Sequence, residues 1–386
     1  MPSPRVAHVI NSIGLGGVPE SVFHLLRTMP PGGCEPSLYV LRGPDPADED
    51  RAARLARFRQ IGLPVTLGAP DEGRLSVVAQ LHDWLTREAP DILHSHSYKP
   101  NLHAGLAAGP LRARGLKVMA HYHNQYDAQW QRDGTLGLNA ALAAQSDSVV
   151  ACSAAVGDHV RERLGVSPER LVIIPNGVDD ARFSTPPSRN AARTRMGLPA
   201  ERPIIGLVGR ISEQKGQDDL LRAATAVRAA IPDVLFVLAG APDAPERLVA
   251  LQELVASLDL SEAVHFAGFV TDIPTLYAAL DVLAAPSRWE GFGLMLIEAM
   301  TAGVPIVATA VGAIPEVVGN DGAARLVPPG DIDALSSALV DVLNHPAEAR
   351  CLVDAGRRRA ASFTWDKSAA RLARLYATLS DRGSAP

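Results

Sequence analysis

The sequence is poor in cysteine, has no excess of positive charge and lacks a long apolar run free of interruptions. Its cysteines, Cys34, Cys152 and Cys351, are too few and too widely spaced for a disulfide framework or a cysteine metal site, which favours a reducing compartment. Lysine and arginine number 37 against 42 acidic residues, which gives a net charge of −5. This balance excludes a general electrostatic footprint for nucleic acid or an anionic membrane.

The longest apolar stretch, 293–315, has the length of a membrane span but contains Glu298, Gly303 and Pro305. A charge and two helix-breaking residues predict a buried helix, turn and strand there instead. The N-terminal segment carries one basic residue and an apolar run too short for a secretory signal. We therefore expect a cytoplasmic protein.

Short apolar runs alternate with amphipathic segments along nearly the whole chain. This pattern predicts strands covered on both faces by helices, as in parallel α/β sheets. The first series of predicted strands is 6–10, 38–41, 64–67, 92–96, 117–122, 148–152 and 171–174. The second series is 204–208, 235–239, 264–267, 282–285 and 306–308.

The 386 residues are enough for two domains. A segment rich in proline, serine and arginine separates the two series, so we predict domains at 1–184 and 203–365 joined by a linker at 185–202. A last helix within 366–386 is expected to pack back on the first domain. The predicted fold class is therefore two Rossmann-like, doubly wound domains facing a central cleft, with ligands at the carboxyl ends of the strands.

The first candidate binding loop is Gly14-Leu15-Gly16-Gly17, between the first strand and the first helix. Glycines let a backbone approach a ligand, and a helix N-terminus favours negative charge. The loop does not match the dinucleotide fingerprint, because its third glycine is missing. A plain strand-to-helix turn therefore explains it equally well.

A second candidate loop follows the strand 204–208 and carries Arg210 and Lys215. Two cations at a strand end suit a diphosphate whose charge no metal neutralises. Surface cations on a solvated loop are the alternative, and the position in the fold makes the two interpretations about equal.

The strongest pattern lies at 286–300, where Glu290 and Glu298 stand eight positions apart. With a helix starting near Phe292, the amides of Gly293 and Leu294 are free donors flanked by two carboxylates. Free amides suit phosphate, and carboxylates suit sugar hydroxyls. Glu298 sits in an otherwise apolar run, which favours a bound partner over a surface position.

Histidines form a further group at His94, His96 and His103. The spacing of the first two would suit a metal, but no carboxylate or cysteine accompanies them. Lining of an acceptor cleft or packing is therefore the preferred interpretation, and no metal site is predicted.

These motifs together resemble the retaining glycosyltransferases of family 4, which have the GT-B fold. The resemblance rests on E-x7-E from Glu290 to Glu298, on the glycine loop, and on Gly209-Arg210 with Lys215-Gly216. The segments 174–179, 308–316 and 326–331 also agree, in the expected order along the chain.

The resemblance implies a role for each matching residue. Arg210 and Lys215 would hold the donor diphosphate, and the glycine loop with Gly16 and Gly17 would line the donor site. His123 would lie beside the anomeric carbon, while His121 stands where the family often has Thr or Ser. The remaining implied donor contacts are Glu290 with Phe292, Gly293 and Leu294 for the sugar, Glu298 for the ribose, and the backbone near Val270 for the base.

The implied reaction transfers a sugar from a nucleotide sugar, with uridine or guanosine as the expected base, to a hydroxyl acceptor without metal or other cofactor. The acceptor, bound by the first domain, is expected to be a small natural product or a glycan. A lipid-linked acceptor in surface-polysaccharide assembly is the alternative, with at most peripheral membrane contact. The basic helix with Arg51, Arg54, Arg57 and Arg59 could meet a membrane, but its apolar partners are mostly alanine, so a solvated helix is the preferred interpretation. Two further hypotheses are a 2-epimerase of the same fold and a non-catalytic sugar-nucleotide sensor. No motif indicates an oligomeric state.

Overall fold

The computed structural model describes residues 3–14, 16–42, 49–69 and 73–381. The chain forms two compact units. One comprises Met1–Gly177 together with Trp365–Pro386, and the other comprises Val178–Thr364.

The first unit is built on a seven-stranded parallel sheet in the order β3-β2-β1-β4-β5-β6-β7. Its strands are β1 Arg5–Ile10, β2 Glu35–Val40, β3 Val65–Leu67, β4 Ile92–His96, β5 Lys117–Tyr122, β6 Ser148–Ala151 and β7 Leu171–Ile173. Its helices up to this point are α1 Gly17–Arg27, α2 Glu49–Gln60, α3 Arg74–Glu88, α4 Tyr98–Arg112, α5 Asp127–Asp133, α6 Leu136–Gln145 and α7 Ala154–Leu164. The central strands are fully buried because helices cover both faces of the sheet.

The second unit repeats this plan with a six-stranded parallel sheet in the order β10-β9-β8-β11-β12-β13. Its strands are β8 Ile204–Val208, β9 Leu235–Ala239, β10 Val264–Gly268, β11 Val282–Ala285, β12 Ile306–Thr309 and β13 Arg325–Val327. Its helices are α8 Arg189–Arg195, α9 Gln217–Ala230, α10 Pro245–Ser257, α11 Ile273–Ala279, α12 Leu294–Ala302, α13 Ile314–Val318, α14 Ile332–Asn344 and α15 Pro346–Ala360. The core between sheet and helices consists of aliphatic side chains around Phe236, which is fully buried.

The last helix, α16 Trp365–Asp381, belongs to the first unit and packs against α1 and β4. The Trp365 ring stacks on His24 with 5.4 Å between ring centroids. The Ser368 hydroxyl donates a hydrogen bond of 2.6 Å to the carbonyl of Pro175.

The fold class predicted from the sequence is confirmed as two Rossmann-like parallel-sheet domains. All twelve predicted strands are present within two or three residues of their expected ends, and the apolar stretch at 293–315 is a helix, turn and strand. Strand β13 was missed because it is three residues long and begins with a charge. Of the helices in the described ranges, none combines the length and hydropathy needed to cross a bilayer.

The segment predicted as a linker is instead a structured part of the second unit. Helix α8 packs on α11, and its Arg193 is 2% exposed. The Arg193 guanidinium lies 2.6 Å from Asp281 and donates 3.1 Å to the carbonyl of Ala279. Arg193, one of the arginines that suggested a linker, is thus buried, because the Asp281 carboxylate from a distant segment pairs with it. The boundary of the unit consequently falls after Gly177 and not at 184.

Candidate functional site

The second sheet reverses its strand order between β8 and β11, which lie side by side at its centre. In doubly wound sheets such a switch point, at the carboxyl ends of the strands, is where ligands bind. Here the loops that leave this edge are 209–216 after β8, 286–293 after β11 and 310–313 after β12. They carry five of the eleven site residues that the sequence predicts, namely Arg210, Lys215, Glu290, Phe292 and Gly293.

Lys215 and Glu290 meet at this edge. The Lys215 ammonium lies 2.5 Å from a carboxylate oxygen of Glu290, with the two side chains 14% and 8% exposed. The sulfur of Met295 lies 3.6 Å from the same ammonium. The two charges of this nearly buried ion pair attract each other where little water reaches them. Removing either side chain would leave an unpaired charge there, at a large cost in folding free energy.

Backbone packing fixes the position of Glu290. The amide of Ala313 donates a 3.0 Å hydrogen bond to its carbonyl. Gly312, with φ of +52°, lies so close to the Glu290 backbone that a Cβ would overlap its carbonyl oxygen. Gly293, with φ of +85°, turns the chain into α12 directly beside the Glu290 side chain. The carboxylate is thus placed by two tight turns that only glycine accommodates without strain.

Helix α12 begins at Leu294, two residues later than predicted, and no side chain of the described residues caps it. The Leu296 amide donates to the carbonyl of Gly293 at 2.9 Å, whereas the amides of Leu294 and Met295 have no partner within the helix and present a partial positive charge. Phe292 is buried against Phe363, with ring centroids 5.5 Å apart, so its side chain anchors the loop. The helix start therefore offers an amide site for an anion next to the Lys215–Glu290 pair.

Glu298 is half-buried on α12 and accepts a 3.1 Å hydrogen bond from the Tyr277 hydroxyl. The same hydroxyl lies 3.1 Å from the carbonyl of Met295. Burial, together with the neighbouring carboxylate, raises the pKa of Tyr277 well above its usual value. The argument that Glu298 needs a bound ligand because it lacks a partner is therefore wrong, since a tyrosine from α11 fills that role.

Arg288 is a site-loop residue whose importance the sequence analysis missed. Its guanidinium lies 3.2 Å from Asp219 and 3.3 Å from Asp218, at the start of α9. Hydrogen bonding to Asp219 raises its pKa further. The Arg288 amide also donates 2.8 Å to the carbonyl of Gln214. In the sequence, the acidic residues Asp218 and Asp219 after Lys215-Gly216 could have indicated a partner for Arg288. Their ion pairs with Arg288 join the two central loops.

The remaining predicted residues lie at the edges of their sheets without being brought into this cluster. Arg210 lies two residues after the end of β8, and its exposed side chain makes no ion pair within the described part of the chain. Val270 is half-buried in the loop after β10. In the first unit, Gly16 precedes α1 with φ of +151° and Gly17 begins that helix, whereas Leu15 lies outside the described residues.

His123 lies just past β5 and is 8% exposed. Its Nε2 is 3.2 Å from Nδ1 of His96, and burial lowers the pKa of His123 to about 3. The predicted group of His94, His96 and His103 is only partly correct. His103 bonds the Lys99 carbonyl on its own helix, whereas the other two lie among histidines of β1 and β5.

The basic segment on α2 is largely engaged with α1. Arg57 forms a 2.8 Å ion pair with Glu20, and its guanidinium carbon stands 4.3 Å from the centre of the Phe23 ring. Arg54 donates a 3.1 Å hydrogen bond to the carbonyl of Ile13. The pairing with Glu20 offsets the charge of Arg57, whereas the hydrogen bond of Arg54 to a neutral carbonyl leaves its charge unchanged.

Comparison with known proteins assigns both units to glycosyltransferase families. The model described as "Glycosyltransferase Family 4" matches residues 15–182, and the model described as "Glycosyl transferases group 1" matches residues 188–359. Together the two matches extend over most of the chain.

Individual relatives agree with this assignment. The MMP alpha-(1->4)-mannosyltransferase of Mycolicibacterium hassiacum is 30% identical over 365 residues, covering 88% of this chain and 84% of that protein. A D-inositol 3-phosphate glycosyltransferase of Salinispora arenicola is 33% identical over 251 residues, covering 61% and 55%. The crystal structure of Anabaena HepE in complex with UDP and glucose superposes with a TM-score of 0.84 at 23% identity, covering 97% of this chain and all of that one.

Proposed function

The chain belongs to the family 4 glycosyltransferases, and from this premise we propose that it transfers a sugar from a nucleoside-diphosphate sugar to a hydroxyl acceptor with retention of anomeric configuration. The observation that carries the proposal is the buried Lys215–Glu290 pair beside the uncapped start of α12, at the switch point of the second sheet. A cation, free amides and a carboxylate within one small region match the diphosphate and hydroxyls of such a donor.

The diphosphate would be neutralised by protein groups. We propose that Lys215 and Arg210 contact it together with the first amides of α12. As the bond from the anomeric carbon to the β-phosphate oxygen breaks, negative charge accumulates on that phosphate. Fixed cations and helix amides then stabilise the transition state more than the ground state. In this proposal the transfer step needs no metal ion at the diphosphate.

The ion pair gives Glu290 a second task. Without donor its carboxylate neutralises Lys215 at 2.5 Å. With donor bound, the Lys215 ammonium also pairs with the phosphate, so the Glu290 carboxylate can accept hydrogen bonds from sugar hydroxyls. Glu298, oriented by Tyr277, is proposed to bind the ribose, and His123 is proposed to contact the donor sugar. Uridine or guanosine is the proposed base, next to the backbone at Val270.

We propose a front-face reaction, since no side chain of the site is assigned as a nucleophile. The acceptor oxygen bonds to the anomeric carbon on the face that the diphosphate leaves, and its proton passes to the departing β-phosphate oxygen. The products are the glycoside, with unchanged anomeric configuration, and the nucleoside diphosphate. A covalent glycosyl adduct trapped on Glu290, Asp127 or another residue would refute this route.

We propose a small polar acceptor ahead of a lipid-linked one. One relative is named for D-inositol 3-phosphate. The ion pair of Arg57 with Glu20 also reduces the charge available to anionic lipid. Acceptors on glycans remain within the proposal, which specifies a hydroxyl group and not a particular molecule.

The test is nucleotide binding by calorimetry with EDTA present, using UDP, GDP, ADP and TDP. We expect one nucleotide to bind clearly, and Lys215→Ala to weaken it by about 10- to 100-fold because a charge-assisted contact is lost. Lys367→Ala, an exposed lysine on α16, is the matched control and should bind normally. Unchanged affinity in Lys215→Ala would contradict the phosphate role.

Turnover separates the hypotheses of transferase, epimerase and sensor. Donor consumed without acceptor and converted to an epimeric sugar nucleotide would indicate a 2-epimerase, and binding without any consumption across an acceptor panel would indicate a sensor. Glu290→Gln should lower transfer by about 100-fold while the protein stays folded. A normal rate in that variant would remove Glu290 from the mechanism.

A further inference from the structure

Five buried histidines share one face of the first sheet. They lie at His8 on β1, at His94 and His96 on β4, and at His121 and His123 in and just after β5. Two of these strands carry His-x-His, and residues two apart on a strand point to the same side. The strand register pairs His8 with His94 and His96 with His121, so the rings meet across neighbouring strands.

The rings contact one another closely. The His121 and His123 centroids are 4.0 Å apart, and those of His94 and His96 are 4.1 Å apart. No carboxylate or cysteine joins either of the two three-membered groups that the described residues form here. The patch lies beside the switch point of this sheet, between β1 and β4, at the edge where such folds place ligands.

Several ring nitrogens of this patch lack a partner in the described part of the chain. They are Nε2 of His94, Nδ1 of His123 and both nitrogens of His121, all in side chains at least nine-tenths buried. Buried polar atoms are rarely left unpaired, because each costs the free energy of its lost hydration. His121 is the clearest case, since its ring lies in the middle of the patch and neither of its nitrogens bonds to a described residue.

We propose that His96, His121 and His123 bind one divalent transition-metal ion, with zinc as the best fit. One nitrogen from each of these rings lies within 4.8 Å of those of the other two. Two nitrogens bound to a tetrahedral zinc at about 2.0–2.1 Å are about 3.3 Å apart. Nδ1 of His96 and Nε2 of His123 are already 3.2 Å apart, so a cation between them needs little rearrangement.

The surrounding hydrogen bonds suit this ligand set. With Nδ1 of His96 on the metal, its Nε2 carries the proton and donates to Nδ1 of His8 at 3.1 Å. Nε2 of His8 then donates to the Tyr376 hydroxyl at 3.4 Å, which donates to Nδ1 of His94 at 2.7 Å. The donors of His96, His8 and Tyr376 each have one acceptor in this series, and ligating histidines are held by such outer contacts, whereas the Nε2 proton of His94 has no acceptor among the described residues. His8, Tyr376 and His94 are thus positioning residues for His96.

The ligand chemistry also selects the ion. Neutral imidazoles suit zinc, copper, nickel and iron, whereas magnesium and calcium prefer oxygen ligands. Three histidines leave one tetrahedral position for water or another small ligand. The proposal concerns the first unit alone and goes beyond the proposed function, in which the diphosphate is neutralised by Lys215 and Arg210. For His123 it replaces the contact with the donor sugar, because a ring whose Nε2 binds a metal keeps only its buried Nδ1.

The first experiment measures metal content and ligand type in the full chain, purified without a histidine tag. After loading with zinc and gel filtration, we expect about one zinc per chain by mass spectrometry of the elements. X-ray absorption at the zinc edge should show imidazole scattering from three rings. Fewer than two imidazoles, or zinc well below stoichiometry after loading, would overturn the proposal, leaving the patch as a packed histidine network.

Variants then locate the site. His121→Gln should weaken zinc binding at least about tenfold in competition with a chromophoric chelator, and His8→Gln should weaken it by about 10- to 100-fold through His96. His82→Gln, a half-buried histidine of α3 outside the patch, is the matched control and should bind zinc normally. Stoichiometric binding unchanged in His121→Gln would refute the assignment. Metal content is read without donor or acceptor, so this result is independent of the nucleotide-binding test.

Discussion

Gly312→Ala is the sharpest test of how the site is built. Gly312 has a positive φ of +52° and touches the Glu290 backbone, whereas Gly322 in the same unit has φ of +76° with open space around it. An added methyl group therefore imposes the same backbone strain at both positions but collides with neighbouring atoms at Gly312 only. The difference between the two variants isolates the close packing against Glu290.

The expected free energies follow from these contacts. Left-handed backbone strain costs about 1 kcal/mol for alanine at either site. At Gly312, overpacking adds about 1–3 kcal/mol, and disturbing the hydrogen bond from Ala313 to Glu290 adds about 1 kcal/mol. For a unit the size of Val178–Thr364, 1 kcal/mol shifts the melting temperature by about 2–4 °C. We expect a loss of about 2–4 °C for Gly322→Ala and about 6–20 °C for Gly312→Ala.

Thermal unfolding with and without the nucleotide that binds best gives both readouts. Displacing the Glu290 backbone moves the partner of Lys215, so nucleotide binding should weaken in Gly312→Ala and stay normal in Gly322→Ala. Equal melting temperatures in the two variants would show that the contact between Gly312 and Glu290 does not constrain the folded state. If Gly312→Ala were destabilised but bound the nucleotide with full affinity, donor binding would not depend on the position of Glu290.

Two further predictions concern other residues of the second unit. Arg193→Met should destabilise the protein by about 3–5 kcal/mol in urea unfolding, because Asp281 loses its buried arginine partner and, of its two arginines, keeps only the exposed Arg189. Arg189→Met removes an exposed arginine from the same carboxylate and should cost less than about 1 kcal/mol, so equal losses would contradict the burial argument. Tyr277→Phe should cost about 1–2 kcal/mol and weaken binding of the nucleotide but not of pyrophosphate, because it frees Glu298 from its orienting hydrogen bond. Calorimetry with both ligands checks this, and an equal loss for both would argue against a ribose role for Glu298.

The position of the candidate site could be predicted well from local sequence. Strand β8 with the Arg210–Gly216 loop, and strand β11 with the Glu290–Leu294 loop, are each recognisable within about a dozen residues. Parallel strands bring their carboxyl ends to one edge, so two such patterns imply a shared site without further information. The pairing of Lys215 with Glu290 was not predictable in this way, since it depends on how closely two loops approach.

The alternation of strands and helices, the two-domain fold class and the loops that carry the site follow from local sequence, because apolar periodicity and turn residues act over short distances. The contacts between side chains of distant segments follow only from the folded structure. Arg193 finds Asp281, Glu298 finds Tyr277, and the histidines of β1, β4 and β5 form one patch. These outcomes depend on strand order and register, which no local pattern encodes, and burial then makes each of these polar contacts energetically decisive.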